Sequence, residues 1–569
     1  MPKQVGEMNL SRKLGLLAVL LVVFVFAADV FALTRAEETL KIVERDATRL
    51  KNLVANLDEY LDRPEETESQ LQLLDSIIEE AKYYMEIGDE FEAELKLALA
   101  KIVIGRAYAA ASRSPLAETR IISIDASTLS FRAKQGTLPQ LVQQIKDTGF
   151  NTVFVEVLRD DGYVVYPSKY MILAPDLEGL DPLGELVRLC NENGIDVFPW
   201  QKVFFAAADG TPGPILTEHP EWAAVDRFGK PFEASGLAWF SPAHPEAREL
   251  IFNYILEMWE MYDFAGCQLD YVRNATNPLE NNDFSYDKAT LDLFMTYYGY
   301  NPLDLPYPSA YDRTREGYVP GDSGAKWENW QAFREELITS MVARLAIAMK
   351  EKKPDAFISC GFAVGNWGGG TIQQAYLRAQ NWPEWVQRHL VDALSPLVYQ
   401  NEAVPVEREV TNVRDLAAGR AIQYPSLGVI SMDEPYQLLE QIEIVRSIGE
   451  PGMRVFAYPH MKEEHFRLLK EGPFRNAAFP VHRDLYRASY LAFQDLMSQV
   501  SEEKSFYLEL ERMYNRIEAS VEGAPAQKIA AARYLITRIE RFPTGEYALD
   551  IQLQRIKSML SLYVYRTKS

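Results

Sequence analysis

Cysteine is scarce: the 569 residues hold three, Cys190, Cys267 and Cys360, scattered through apolar segments. An odd number at such spacings fits neither a disulfide framework nor a thiolate metal site, so they read as small core residues. Histidine is scarce as well. The six, His219, His244, His389, His460, His465 and His482, include no pair at i, i+4, and only His460 falls at a strand end, so no catalytic metal is expected. No GxGxxG or GxxxxGK[ST] follows a strand, and no Gly-x-Ser-x-Gly elbow occurs. Nothing therefore points to a nucleotide, to any other cofactor or to an esterase nucleophile. Positive charge is outnumbered, 59 Lys and Arg against 81 Asp and Glu for a net charge of −22. Affinity for nucleic acid rests on neutralising phosphates, so a nucleic-acid partner is not expected.

What is present is ordinary for a globular chain, 47% hydrophobic and 25% charged residues, enough for a sizeable core. The length calls for several domains. Lys3, Arg12 and Lys13 precede the apolar run Leu14 to Ala28, and Val30-Phe31-Ala32 sets small residues at the −3 and −1 positions of a signal-peptidase site. The run falls short of the ~20 residues that span a bilayer. Residues 1–32 are expected to be a cleaved secretory signal, with an uncleaved N-terminal anchor as the alternative and the only expected contact with a membrane. The protein is then periplasmic or extracellular.

Residues 36–115 have helical periodicity: Leu50, Leu53, Val54, Leu57 and Leu61 recur at threes and fours, Pro64 interrupts, and runs from Leu71 to Tyr84 and from Glu90 to Ala111 follow. This predicts a helical domain of about three helices. From Arg120 short apolar strands alternate with amphipathic helices, a parallel α/β pattern. The strand segments are Ile121 to Asp125, Thr152 to Val157, Asp196 to Trp200, Gly266 to Tyr271, Phe357 to Phe362, Leu394 to Tyr399, Ile422 to Ile430 and Arg454 to Tyr458. Eight such units over residues 119–482 fit a (β/α)8 TIM barrel with long loop insertions; an open doubly wound sheet is the competitor. Residues 485–569 return to helical periodicity and are expected to form a C-terminal helical domain.

The fourth strand raises the question of chemistry. Consecutive strand residues point to opposite sides, so Gln268 and Asp270 share one face while Cys267, Leu269 and Tyr271 share the other. A parallel strand covered on both faces is normally apolar throughout. Asp270 is either half of a structural ion pair with Arg273 or a catalytic carboxylate at the C-terminal mouth of a barrel. Other strands add polar residues near the same end: Ser123 and Asp125 in the first, Glu156 in the second, Trp200 and Gln201 after the third, Tyr399, Gln400, Asn401 and Glu402 after the sixth, Asp433 and Glu434 after the seventh, His460 after the eighth. Glycoside cleavage needs such a set. One carboxylic acid protonates the leaving oxygen and a second carboxylate attacks the anomeric carbon or activates water, ~5–5.5 Å away for retention or ~6.5–9.5 Å for inversion. Aromatic rings supply flat platforms for sugar faces. Trp200, Trp239, Trp327, Trp330, Trp367, Trp382 and Trp385 all fall in the barrel region, where packing is the competing role for each.

The ordered series Asn151 to Val157, Gly162 to Tyr170, Asp181-Pro182-Leu183, Gly194 to Trp200, His219-Pro220-Glu221-Trp222, Ser241 to Arg248, Gly266 to Arg273 and Trp330 to Arg334 resembles the glycosyl hydrolase-like 10 family of bacterial envelope and secreted proteins. The resemblance runs from about Arg120 to His460. It implies a (β/α)8 barrel and glycosidase activity on a polysaccharide or a peptidoglycan glycan. It also puts the family's fourth-strand acid on Asp270. This chain has Tyr271 where many members carry a second acid, Glu156 in place of a Gln-type residue, and Trp200-Gln201-Lys202 in place of Trp-x-Asn-Pro. The candidate partner acids are Glu402, Glu156, Asp433, Glu434 and Asp125. The candidate substrate-binding residues are Tyr271, Arg273, Trp200, Tyr399, Gln400, Asp125, Trp367 and His460. The expectation is an exported glycoside hydrolase; the alternative is a non-catalytic carbohydrate-binding or cell-envelope scaffold.

Overall fold

A computed structural model describes residues 35–57, 60–277, 282–305, 322–364, 378–542 and 544–567. The chain divides into two compact units, Met1–Ala111 and Ser112–Ser569. In the first unit, helices Arg35–Leu57, Pro64–Glu86 and Glu90–Ala111 bury Leu50, Leu74, Ile78, Leu97, Ala100 and Ile104. Among the described residues no helix is long and apolar enough to cross a membrane. The N-terminal apolar run lies outside them.

The second unit is built on a closed parallel barrel of eight strands: Thr119–Ile124, Thr152–Glu156, Asp196–Lys202, Gly266–Asp270, Phe357–Ala363, Ala393–Val398, a seventh in two pieces, Ile422–Gln423 and Ser426–Gly428, and Gly452–Phe456. The seventh was expected to run unbroken to Ile430. Pro425 has no N–H to give the ladder, and the strand divides there. Helices Leu138–Thr148, Pro182–Glu192, Pro245–Met261, Asp322–Lys352 and Tyr436–Ser447 alternate with the strands. The helices from Leu485 onward, read in the sequence as a domain of their own, lie in the barrel's unit. Tyr565 donates its hydroxyl to the Gln387 carbonyl at 2.8 Å, and Arg113 meets Asp495 at 3.1 Å.

Register fixes which side chains face the axis. The circuit runs from Arg454 to Ile121, Thr152 and Asp196, advances four residues to Trp200, passes through Gln268, Ser359, Ala393 and Ile422, and advances four more to Ser426, which pairs with Arg454. The barrel therefore closes with a shear of eight, and inward residues of alternate strands form layers of four. One layer is Phe154, Gln268, Ser395 and Arg454. Above it come Ser123, Trp200, Gly361 and Ser426, and above those Glu156, Asp270, Leu397 and Phe456. At the opposite end the turn Val481–Arg483 closes the base: the His482 ring packs 4.9 Å from that of Phe198, and its Nε2 lies 2.8 Å from Asp196 Oδ2.

Candidate active site

Asp270 and Glu156 belong to one layer at the C-terminal ends of the second and fourth strands, with the third strand between them. Their neighbours in that layer and the next, Leu397, Phe456, Ala363 and Tyr399, are partly exposed, so solvent enters the mouth on the side of strands five to eight. Asp270 is held on both oxygens. Oδ2 accepts the Trp200 indole N–H at 2.9 Å and Oδ1 accepts the Tyr271 backbone N–H at 2.8 Å. The second bond depends on Tyr271 taking a left-handed conformation, φ 51°, which turns the chain back over the carboxylate. The Tyr271 ring lies against Phe205 and Trp239, with centroids 5.2 and 5.5 Å away.

Glu156 is tied down differently. Oε2 accepts the Ala126 N–H at 2.8 Å, and Oε1 lies 2.5 Å from Lys202 Nζ, which also reaches Asp160 Oδ1 at 2.6 Å. Burial pushes the Glu156 carboxyl above its ordinary value, and the Lys202 ammonium opposes that without cancelling it. Burial alone would lower Lys202, yet the carboxylates of Glu156 and Asp160 raise it, so the lysine stays charged. Below them the Arg454 guanidinium lies 4.7 Å from the Trp200 ring and donates from Nε to Ser123 Oγ at 2.6 Å.

The remaining candidates are spread around the rim. Asp125 caps helix Ala126–Lys134, accepting from Thr128 N at 2.7 Å and Thr128 Oγ1 at 2.8 Å, so its carboxylate is committed to the helix. Asp433 is exposed and accepts from Asn401 Nδ2 at 2.6 Å. Glu402 is partly exposed and precedes helix Ala403–Ala417, while the carbonyl of Gln400 accepts from Gln441. Tyr399 stacks on Phe456 at 5.0 Å. His460 is exposed in the turn after the eighth strand. Trp367 lies outside the described residues. Trp239, Trp327, Trp330, Trp382 and Trp385 are buried and serve as packing.

The sequence reading gave no weight to four residues beside the site. Lys202 and Arg454 sit at inward strand positions, where the argument used for Asp270 applies equally to a cation. Glu233 gave no signal: it comes from an irregular loop, is buried, and lies 3.4 Å from Arg273, the residue weighed as a partner for Asp270. Arg378 shares this cluster, and burial beside Arg273 lowers it to about 9.

The closed (β/α)8 barrel, with Asp270 and Glu156 in one layer at its mouth, is a glycosidase-like fold. The family model for glycosyl hydrolase-like 10 matches residues 120–422, and the chain belongs to that family. It is 23% identical to an S-layer-related protein of Niallia circulans over 51% of this chain and 20% of the relative, so it spans about a fifth of the curated relative it matches. Among solved structures it is similar to α-L-fucosidase isoenzyme 2 from Paenibacillus thiaminolyticus, with 15% identity, TM-score 0.45, and 62% of this chain and 48% of that one covered. It is also similar to the β-galactosidase of the psychrophilic Marinomonas ef1, with 12% identity, TM-score 0.45, and 70% and 68% covered.

Proposed function

We propose that the protein is an exported glycoside hydrolase that cleaves O-glycosidic bonds of a polysaccharide or cell-wall glycan with two carboxylates. The observation that carries this reading is the placement of Asp270 and Glu156 in one barrel layer at the mouth. Two strand spacings put their Cα atoms roughly 10 Å apart across the mouth. Glycosidases set their two carboxyl groups ~5–9.5 Å apart, a span of the same order. Asp270, oriented by Trp200 and the Tyr271 amide, attacks the anomeric carbon or activates water. Glu156, the second carboxyl of that layer, is the candidate acid for the leaving oxygen. Tyr271, Arg273, Tyr399 and Gln400 position the sugar, and the rim acids Glu402 and Asp433 are reserve candidates for the second carboxyl.

The test uses a panel of polysaccharides and aryl glycosides. Asp270→Asn should remove turnover of every substrate while the thermal melt is unchanged. Glu156→Gln should lose at least ~10²-fold on substrates with poor leaving groups and far less on nitrophenyl glycosides, which leave without protonation. Full activity of Asp270→Asn refutes the reading. The name of the S-layer-related relative favours a second one, a carbohydrate-binding envelope scaffold. That reading predicts glycan binding with no release of reducing ends.

A further inference from the structure

We propose that Arg454 is a positioning residue for Asp270 that acts through Trp200; its catalytic consequence rests on the reading above, its structural part does not. Barrel interiors are normally packed with branched aliphatic side chains. Here the eighth strand instead sends a fully buried guanidinium to the axis, into a layer where three of the four residues, Ser123, Gly361 and Ser426, are small. Nε is anchored on Ser123 Oγ, and Nη1 and Nη2 have no hydrogen-bond partner among the described residues. A buried cation in that condition is costly, and the nearby aromatic faces offset part of the cost. The guanidinium carbon lies 4.7 Å from the Trp200 centroid and 5.4 Å from those of Phe154 and Phe456. Phe456 also meets the Trp200 ring edge-on, with centroids 5.8 Å apart.

The indole thus packs against both a cation and an aromatic ring, and its one polar atom, Nε1, donates to Asp270 Oδ2, 2.9 Å away. Lys202, a further buried cation at the mouth, is engaged by Glu156 and Asp160. Arg454 lies over the ring of the indole that binds Asp270. An aliphatic side chain would fill the same volume without holding the ring by charge, and the indole N–H would lose its fixed direction.

The experiment reads the indole N–H itself. The full-length protein is labelled with 15N-tryptophan, its nine indole resonances are recorded, and Trp200→Phe assigns the relevant one. In the wild type that proton should resonate at the downfield edge and exchange slowly. In Arg454→Met it should move upfield and exchange about tenfold faster. Arg454→Lys, which keeps a cation over the ring, should retain it. An unmoved signal in folded Arg454→Met overturns the proposal. So does equal loss in Arg454→Lys, a variant that also decides the matter if the methionine variant fails to fold. On an aryl glycoside turned over by the wild type, Arg454→Met should lower kcat about tenfold at unchanged KM and cost nothing further in a Trp200→Phe background. Additive losses overturn the catalytic part. If Asp270→Asn stays active the hydrolase reading falls, and the indole signal still decides whether Arg454 positions Trp200.

Discussion

Gly361 is a glycine because nothing larger fits beside the carboxylate. A Cβ there would lie 2.7 Å from Gln268 Nε2 and 3.2 Å from both Cγ and Oδ2 of Asp270. The amide can shift a little, but Asp270 is pinned by two hydrogen bonds and cannot move without breaking one. Gly361→Ala should therefore cost about 1–3 kcal/mol in urea denaturation, the usual range for overpacking. It should also lower kcat at least tenfold on any substrate the wild type cleaves, a larger effect than its modest size suggests. At this scale legibility divides cleanly by structural origin. Asp270 and Glu156 could be placed on the inward side from strand alternation alone, because a period of two is written in the local sequence. The same rule reached Asp125 but missed its role, since Asp125-Ala126-Ser127-Thr128 also spells a helix N-cap and the cap took the carboxylate. Glu233 and Arg378 come from irregular segments with no period to read.

Two buried glutamates near the base of the barrel pull the stability in opposite directions with pH. Glu118, just before the first strand, meets Arg120 at 3.0 Å, Arg446 of helix Tyr436–Ser447 at 2.7 Å and Arg555 of helix Tyr547–Arg566 at 3.8 Å. Despite its burial, Arg446 and Arg120 hold its carboxyl down at about 2. An unfolded Glu titrates near about 4.3, so this ion cluster contributes stability above that pH, roughly 3 kcal/mol, and loses it as pH falls toward 2. Glu118→Gln should flatten the acid limb of a pH–stability curve. At pH 7 it should destabilise by about 3–5 kcal/mol, because it leaves buried arginines without their anion. Glu450 does the reverse. It accepts both the backbone N–H and the side-chain amide of Gln423, at 2.9 and 2.8 Å, but burial pushes it up to about 7. Its contribution is fully present below about 4.3 and is lost as pH rises through 7, so Glu450→Gln should remove a decline of about 3–4 kcal/mol across that window. Chemical denaturation at pH values from about 2.5 to 8 separates the two, the acid end reporting Glu118 and the neutral end Glu450. The alternation of strands and helices from Arg120 onward was readable, but the pairing of Glu118 with arginines more than 300 positions away was not. Long-range ion clusters leave no local pattern.

Counting eight strand-like segments suggested a barrel, yet nothing in any one segment fixed how they close. Register is a relation between strands, set by which inward side chains fit together, and it emerges only when the circuit from Arg454 back to Arg454 is complete. The same holds for the C-terminal helices, whose periodicity is indistinguishable from that of an independent domain. Their buried faces say otherwise: helix Tyr547–Arg566 buries Leu549, Leu553, Ile556, Met559 and Leu560, Arg555 donates to the Ala117 carbonyl beside the first strand, and His389 stacks on Tyr565 at 3.4 Å. A barrel deprived of them would expose that apolar surface, unseat Arg555 from Glu118 and leave the base of the first strand without its covering. The fragment Ser112–Ser569 should therefore melt in one cooperative transition by circular dichroism and calorimetry and turn over any substrate that the full chain cleaves. The fragment ending at Arg483 retains every strand and every candidate catalytic residue. It should nonetheless show no cooperative melt and no turnover; a stable, active barrel ending at Arg483 would make the C-terminal helices a dispensable appendage.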